Sequence, residues 1–204
     1  MSTPQTASQP QASVVVRPAR ADESAHVAWL AALTFPLACP PGTSVATMAA
    51  HVATHLSPAA VHGWVRSDTH ALLVAVDGDQ DSRGGRDEPT TPLGYALVSC
   101  GEPGGDEERR VLRSAVGPGP YVELSKIYVH PDVLGGGVAA RLLDAAVSAA
   151  AELGGRAPLW LGTNGQNARA QAFYRKHGFE IAGTRTYDVG GARHDDVVMI
   201  RRPA

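Results

Sequence analysis

The sequence predicts one α/β (α+β) domain built on a mixed sheet, and three observations support that fold class. Stretches typical of strands alternate with stretches typical of helices along 204 residues, a length that suits one domain with a buried core. Hydrophobic residues make up 44% and charged residues 19% of the chain, as in ordinary globular domains. No internal repeat is visible. We therefore expect a mixed central sheet of about six to seven strands flanked by helices.

The N-terminal part is predicted to contain a tail, two strands and three helices. Residues 1–12 are rich in Ser, Thr, Gln and Pro and predict a disordered tail, which leaves residues 13–204 as the single domain. The stretch TFPLACPPG (34–42) contains three prolines and a glycine, so we expect a stiff loop there. The predicted elements are a strand at 13–19, a helix capped by Asp22 and running through Leu33, helices at 44–55 and 58–66, and a strand at 70–76.

The C-terminal part is predicted to contain the remaining strands and two long helices. Apolar residues recur at spacings of four, four, three and four and predict an amphipathic helix through Val138, Leu142, Ala146, Ala149 and Leu153. Gly154-Gly155 ends this helix. The other elements are strands at 93–100, 121–129 and 158–162, polar loops at 77–91 and 101–119, a helix from Asn167 to His177, and a final hairpin across Gly190-Gly191.

Composition excludes several classes of function. A net charge of −2 argues against nucleic-acid binding, which needs a basic surface. The two cysteines form no CxxC motif, and His51 and His55 lack the HExxH context, so we expect no metal site. No long apolar run or signal-peptide pattern is present, and we therefore expect no membrane partner and a cytoplasmic location. The sequence leaves the choice between a monomer and a homodimer open.

Three glycines in VLGGGVAARL (133–142) stand where a predicted strand turns into a predicted helix. Backbone N–H groups at the start of a helix form an anion site that fits a pyrophosphate, although a glycine turn without a ligand is the alternative. The chain has no GxxxxGK[ST] motif. A dinucleotide fold would also need an acidic residue about 20 positions further on, and residues 155–165 contain none.

The helix after the next strand carries a second signal. Asn167, Ala170 and Tyr174 are spaced i, i+3 and i+7, so they share one helix face over roughly 10 Å. That face could line an elongated ligand whose pyrophosphate lies on the glycines. Phe173 and Phe179 are explained as core residues, and Gly178 as the residue that ends the helix.

Together these two elements resemble the acetyl-CoA core of the GNAT superfamily of N-acetyltransferases. The family loop [QR]xxGx[GA] is matched by residues 134–139, and the signature Asn-x-x-Ala-x-x-Phe-Tyr-x-x-x-Gly-Phe is matched by residues 167–179. The resemblance covers residues 13–202, and residues 178–202 resemble the bacterial branch that includes spermidine/spermine acetyltransferases. Leu134 replaces the Gln or Arg that opens the family loop. Because backbone N–H groups supply most of the grip, we expect weaker or reoriented binding there.

The resemblance implies the GNAT fold, with its sheet splayed at an acetyl-CoA site, and no metal. It implies that the pantetheine arm pairs with the strand and contacts Asn167, while the pyrophosphate lies on the glycine turn. The implied cofactor-binding residues are Ile127, Tyr128, Val129, Leu134, Gly135, Gly136, Gly137, Val138, Ala139, Ala140, Asn167 and Tyr174.

Two catalytic roles follow from the resemblance and from the chemistry of acetyl transfer. Tyr174 matches the family's general acid, and a phenol with an ordinary pKa near 10 can protonate a departing thiolate. Glu123 is the candidate base, because the two-residue period of a strand puts it on the same face as Ser125 and Ile127. Some relatives carry a carboxylate where Ser125 stands, so Glu123 is expected to act through water. A water chain, His130 or His194 are the alternative proton carriers.

The acceptor is expected on the other side of the splayed sheet, between the 34–42 loop and the final hairpin. Asp188, Asp195 and Asp196 could attract a cationic amine, although aspartates are also common in hairpins for turn reasons. The predicted activity is acetylation of a primary amine, in a small molecule such as a polyamine or other amino compound. A non-catalytic acyl-CoA-binding sensor or interaction module of the same fold is the alternative.

Overall fold

The computed structural model describes residues 13–39, 42–83, 90–189 and 192–203. The predicted tail at 1–12 and the turn at Gly190-Gly191 lie outside the described residues. The strands are β1 (Val14–Pro18), β2 (His70–Asp77), β3 (Gly94–Gly101), β4 (Tyr121–Val129), β5 (Leu159–Asn164), β6 (Glu180–Val189) and β7 (Ala192–Arg201). The helices are α1 (Ser24–Ala38), α2 (Val45–His55), α3 (Pro58–Val65), α4 (Gly78–Arg83), α5 (Asp106–Val116), α6 (Val138–Gly154) and α7 (Ala168–Lys176).

The sheet has seven strands in the order β1-β2-β3-β4-β5-β7-β6. Only the central pair, β4 and β5, is parallel, and every other neighbouring pair is antiparallel. That pair is joined over two positions, Val122 with Leu159 and Glu123 with Trp160, and the two strands then diverge. The predicted mixed sheet, flanked by helices and splayed at its centre, is confirmed.

A β-bulge interrupts the pairing of β4 with β3 at Ser125, two residues after the last position at which β4 pairs with β5. Leu124 pairs with Val98 while Lys126 pairs with Leu97, so Ser125 is the extra residue and the alternation of faces shifts by one. Leu124 and Ile127 consequently pack on the face that α6 covers. Tyr128 packs with the cluster of α1 and α3 on the opposite face, and Lys126 lies on that face over Trp64 of α3. Glu123 lies on the same face, near the charges of Arg185 and Lys126. The prediction that Glu123 and Ile127 share a face is therefore wrong.

Helices cover both faces of the sheet, as the hydrophobic patterns indicate. On one face, the predicted stripe of α6 is buried against β2, β3 and β4, with Val138, Leu142 and Ala146 at 2%, 0% and 0% exposure. On the other face, α1 and α3 bury Leu30 and Val61 against β2 and β3. These two layers hold the diverging ends of β4 and β5 in place.

The stiff loop predicted at 34–42 is wrong over its first half. Helix α1 continues to Ala38 with Pro36 in its last turn, where a proline removes one backbone hydrogen bond and leaves the preceding turns intact. Thr34 is buried, and its hydroxyl donates to the Leu30 carbonyl at 2.8 Å. Asp22 is not the cap of this helix, since it lies inside a 3-10 turn at Ala21–Glu23. Pro40 and Pro41 lie outside the described residues.

Two segments predicted as loops contain helices. Residues 78–83 form α4, and residues 106–116 form α5. The acidic first turn of α5 suits the positive end of a helix, and its Leu112 is completely buried beside Trp160 and Ile200. In the part of the chain that the structure describes, no helix has the length and apolar character needed to cross a bilayer.

Candidate active site

The divergence of β4 and β5 opens a cavity of about 490 Å³ in the middle of the sheet. Its walls come from the end of α1, from both diverging strands, from the start of the glycine turn and from α7. The residues on its walls are Thr34, Leu37, Ala38, Leu124, Ser125, Lys126, Ile127, Tyr128, Val129, Pro131, Leu134, Ala139, Leu161, Gly162, Thr163, Asn167, Arg169, Ala170, Phe173 and Tyr174.

The glycine turn presents unused backbone donors beside this cavity. Gly135 and Gly137 have φ angles of +87° and +80°, and Gly137 is the residue that precedes the first turn of α6. A Cβ added at either glycine would meet no atom within 4 Å, so this side of the turn is open. Among the described residues, the N–H groups of Gly137 and of the first helical residues 138–140 have no acceptor. An anion fits here.

Helix α7 is fixed from its first residue. Asn167 caps it by accepting the Ala170 N–H at 3.0 Å, and the Gln171 side chain donates to the Gly165 carbonyl at 2.8 Å. These bonds tie the helix to the loop that follows β5. Asn167, Ala170 and Tyr174 all line the cavity, which confirms that they share one face.

Tyr174 is half-buried and lines the cavity. Its ring packs edge-on against Phe173 and Phe179, at 5.4 and 5.7 Å between centroids. Burial, reinforced by Tyr128, raises the pKa of the phenol to about 12. Its hydroxyl makes no hydrogen bond to any residue in the described ranges. A donor that is protonated and uncommitted is what a departing thiolate needs.

Glu123 lies behind the cavity wall and does not line it. Burial raises the pKa of its carboxyl, an effect that Arg185 and Lys126 partly oppose. No hydrogen bond links the Glu123 carboxylate to another described residue. A base in this position reaches the cavity only through an intervening group such as a water molecule.

Of the hairpin aspartates that could attract an amine, the structure describes the side chains of Asp195 and Asp196. Asp196 is buried and accepts from Arg185 at 3.3 Å, and Arg185 also pairs with Glu108 at 2.5 Å. Asp195 is exposed. The side chains of Asp188 and His194 lie outside the described residues.

His51 and His130 both stack on aromatic side chains. His51 stacks on Phe35 with ring centroids 4.3 Å apart, and burial lowers its pKa. His130 is half-buried, stacks on Trp29 and accepts the Asp132 N–H at 3.3 Å. Within the described residues, no group of three or more metal-ligating side chains occurs.

Several residues of the cavity wall were not identified from the sequence, among them Lys126, Arg169 and Phe173. Arg169 follows Asn167 by two positions, a spacing that puts two residues on different sides of an ideal helix, so helical spacing did not point to it. Lys126 could not be inferred either, because the bulge at Ser125 decides its face and a bulge leaves no clear signal in one sequence.

Comparisons with known proteins identify the family of the chain. Residues 46–179 match the model of the Acetyltransferase (GNAT) family. The chain is 38% identical over 181 residues to an uncharacterized N-acetyltransferase of Mycobacterium tuberculosis, covering 89% of this chain and 96% of that protein. A protein of the same description from Mycobacterium bovis gives the same values.

Solved structures share the fold at low sequence identity. PaiA N-acetyltransferase from Thermoplasma acidophilum, in complex with coenzyme A, has a TM-score of 0.65 at 16% identity and covers 94% of this chain and 99% of its own. Arabidopsis thaliana NAA60, in complex with a bisubstrate analogue, has a TM-score of 0.66 at 14% identity and covers 94% and 100%.

The fold and the matched family define an acetyltransferase. The chain belongs to the GNAT family. It is an N-acetyltransferase with acetyl-CoA as its co-substrate, which favours the enzyme over the non-catalytic acyl-CoA-binding module.

Proposed function

We propose that the central cavity binds acetyl-CoA and that the enzyme acetylates a primary amine of a small molecule, a polyamine or another amino compound, in the cytoplasm. The observation that carries this proposal is the divergence of β4 and β5 after Glu123. It opens one continuous cavity from Leu134 and Ala139, beside the open glycine turn, to Tyr174. An elongated ligand with a pyrophosphate at one end and a reactive thioester at the other suits such a cavity.

Each part of acetyl-CoA has a matching group in this arrangement. The pyrophosphate lies on the glycine turn at residues 135–140, where the N–H groups of Gly137 and of residues 138–140 are free at the positive end of α6. Val138 contributes its backbone alone, since its side chain is in the core. The pantetheine arm follows Ile127–Val129 and passes Asn167. Arg169, exposed on the cavity wall, supplies positive charge that the Leu134 position lacks.

The same arrangement supplies an acid and a base. Tyr174 donates to the thiolate as the carbon–sulfur bond breaks, because its phenol is protonated and uncommitted. Glu123 accepts the proton of the amine through water, since its carboxylate does not reach the cavity directly.

The acceptor enters from the face opposite α6. Thr34, Leu37 and Ala38 form that wall as the last turns of α1. The resemblance of residues 178–202 to spermidine/spermine acetyltransferases supports a polyamine, and the general amine chemistry of the site supports other amino compounds equally.

A panel of small primary amines tests this function directly. With acetyl-CoA present, release of free thiol should accelerate when the correct amine is added. The acetylated product should appear by mass spectrometry in equal amount. Slow thiol release that no amine accelerates, from a protein that binds acetyl-CoA, would contradict small-amine acetylation.

Replacing Glu123 with glutamine should lower kcat mainly around neutral pH. The carboxyl must be ionised to accept a proton, and its pKa is raised, so wild-type activity falls as the pH drops through that raised value. As the pH approaches about 10, the amine loses its proton unaided and the variant should approach the wild type. Between these limits we expect a loss on the order of 10²-fold, measured as a pH–rate profile.

Glu152→Gln is the matched control, because this carboxylate is exposed on α6. Its profile should coincide with that of the wild type. A Glu123→Gln profile that also coincides would assign the proton transfer to bulk water or to His130.

A further inference from the structure

Lys126 is a charged side chain of the site to which the proposed chemistry gives no role. It lies on the cavity wall, half-buried, in the diverging part of β4. Its ammonium stands 5.3 Å from the centre of the Trp64 ring and donates to the Ser125 hydroxyl at 3.3 Å. It forms no ion pair with any carboxylate in the described ranges.

The surroundings of Lys126 do not neutralise its charge. His51 on α2 and His70 on β2 are both near enough for Lys126 to lower their pKa further, after the larger effect of burial. Glu123 is the one carboxylate whose charge acts on the lysine, and burial still lowers the pKa of Lys126 despite it. A lysine that is costly to bury and lacks an ion-pair partner is matched when a ligand brings an anion.

The phosphates of acetyl-CoA are not that anion. In the proposed arrangement they lie at residues 135–140, beyond the far end of β4. Lys126 also faces the side opposite Ile127, because of the bulge at Ser125. Its charge is therefore presented to the acceptor side of the cavity, on the face that also carries Glu123.

We infer that Lys126 binds an anionic group of the acceptor, so that the acceptor is an amine carrying a carboxylate or similar oxyanion, as amino acids do. This inference rests on the proposed function. Glu123 and Lys126 occupy neighbouring positions on one face, roughly 7 Å apart along the strand. Lys126, on the cavity wall, offers a positive group for the anion of the acceptor, while Glu123 behind the wall acts on the amine through water. A polyamine would instead bring a second positive charge against Lys126.

Matched pairs of amines, with and without a carboxylate, test this inference. The pairs are L-ornithine with putrescine, L-lysine with cadaverine, and L-tyrosine with tyramine, with thiol release from acetyl-CoA as the readout. For the pair that fits the cavity, the wild type should favour the carboxylate-bearing member at least about 10-fold in kcat/KM, the scale of one charge-assisted hydrogen bond.

Two substitutions remove the charge in different ways. Lys126→Gln and Lys126→Met should abolish the preference by raising KM for the carboxylate-bearing member, while kcat changes little. Methionine keeps an apolar stem against Trp64, so one variant remains informative if the other folds poorly. Lys176→Gln is the matched control, since Lys176 is the only other lysine of the chain and is exposed at the end of α7.

The outcomes separate this inference from the function on which it rests. Preference for the carboxylate-bearing member that disappears in both variants and persists in Lys176→Gln would support it. Preference for the amine without a carboxylate, or a preference that both Lys126 variants retain, would overturn it and leave small-amine acetylation intact. Binding of acetyl-CoA with no turnover of any of the amines would overturn both.

Discussion

Replacing Tyr174 with phenylalanine should lower kcat by about 10²–10⁴-fold, the usual contribution of general acid catalysis. The affinity for acetyl-CoA should change little, because phenylalanine keeps the ring and its packing against Phe173 and Phe179. The reduction corresponds to roughly 3–5.5 kcal/mol in the barrier. Steady-state kinetics for turnover and calorimetry for acetyl-CoA binding measure the two effects separately.

The raised pKa of Tyr174 makes this prediction more specific. Since the pKa of the phenol is about 12, Tyr174 keeps its proton at every pH at which the enzyme is assayed. Burial also raises the pKa of a thiolate formed beside it, which keeps donor and acceptor closer in proton affinity. The loss caused by Tyr174→Phe should therefore be constant between pH 7 and pH 10. A base would instead show a loss that changes with its own ionisation.

Tyr121→Phe is the matched control for this substitution. Tyr121 is also buried and on β4, but its hydroxyl donates to the Gly117 carbonyl at 2.6 Å and does not line the cavity. Removing that hydrogen bond should cost about 1 kcal/mol of stability and leave kcat unchanged. A near-wild-type kcat for Tyr174→Phe, with a lowered melting temperature, would make Tyr174 a structural residue and remove it from the mechanism.

The two elements on which the site depends could be predicted because their signals are local. Helix α6 has an apolar stripe with glycines before and after it, and both ends occur where those glycines predict them. Helix α7 begins after Asn167, whose capping bond involves residues three positions apart. Spacing within one helix also brought Ala170 and Tyr174 to the same face.

The remaining errors occur where distant parts of the chain decide the structure. Helix α5 lies in a Gly-rich segment that predicts a loop. It is stabilised by the burial of Leu112 beside Trp160 and Ile200, which are distant in the sequence. Helix α1 likewise passes through Pro36 because its preceding turns pack on the sheet. Tertiary packing overrides local propensity in both segments.

The wrong expectations about charged residues also arise because distant parts of the chain decide the structure. The sequence makes Asp196 a candidate for binding an amine. In the structure, however, Arg185 pairs with Asp196 across the hairpin and with Glu108 on α5. A sequence does not show which charges are already paired. The unpaired ammonium of Lys126 was missed for the related reason that the bulge, and not the simple period of two, determines which face it occupies.

Replacing Gly137 with valine should weaken acetyl-CoA binding roughly 10- to 100-fold, the scale of losing one hydrogen bond to a charged group. The residue has a φ of +80°, which a β-branched side chain adopts only with strain, and no protein atom lies within 4 Å of the added Cβ. The new methyl groups would therefore occupy the open side of the turn, where the pyrophosphate approaches the N–H groups. Calorimetry with acetyl-CoA measures the loss.

Two comparisons distinguish a lost phosphate contact from a damaged helix. Gly155→Val places the same side chain at a φ of +59°, also with no atom within 4 Å, but at the opposite end of α6. It should lose stability without losing affinity for acetyl-CoA. S-acetylpantetheine lacks the pyrophosphate, so its use as acetyl donor should be affected equally little by either substitution. A folded Gly137→Val variant with wild-type affinity for acetyl-CoA would remove the glycine turn from the binding site, and an equal loss in Gly155→Val would attribute the effect to the stability of α6.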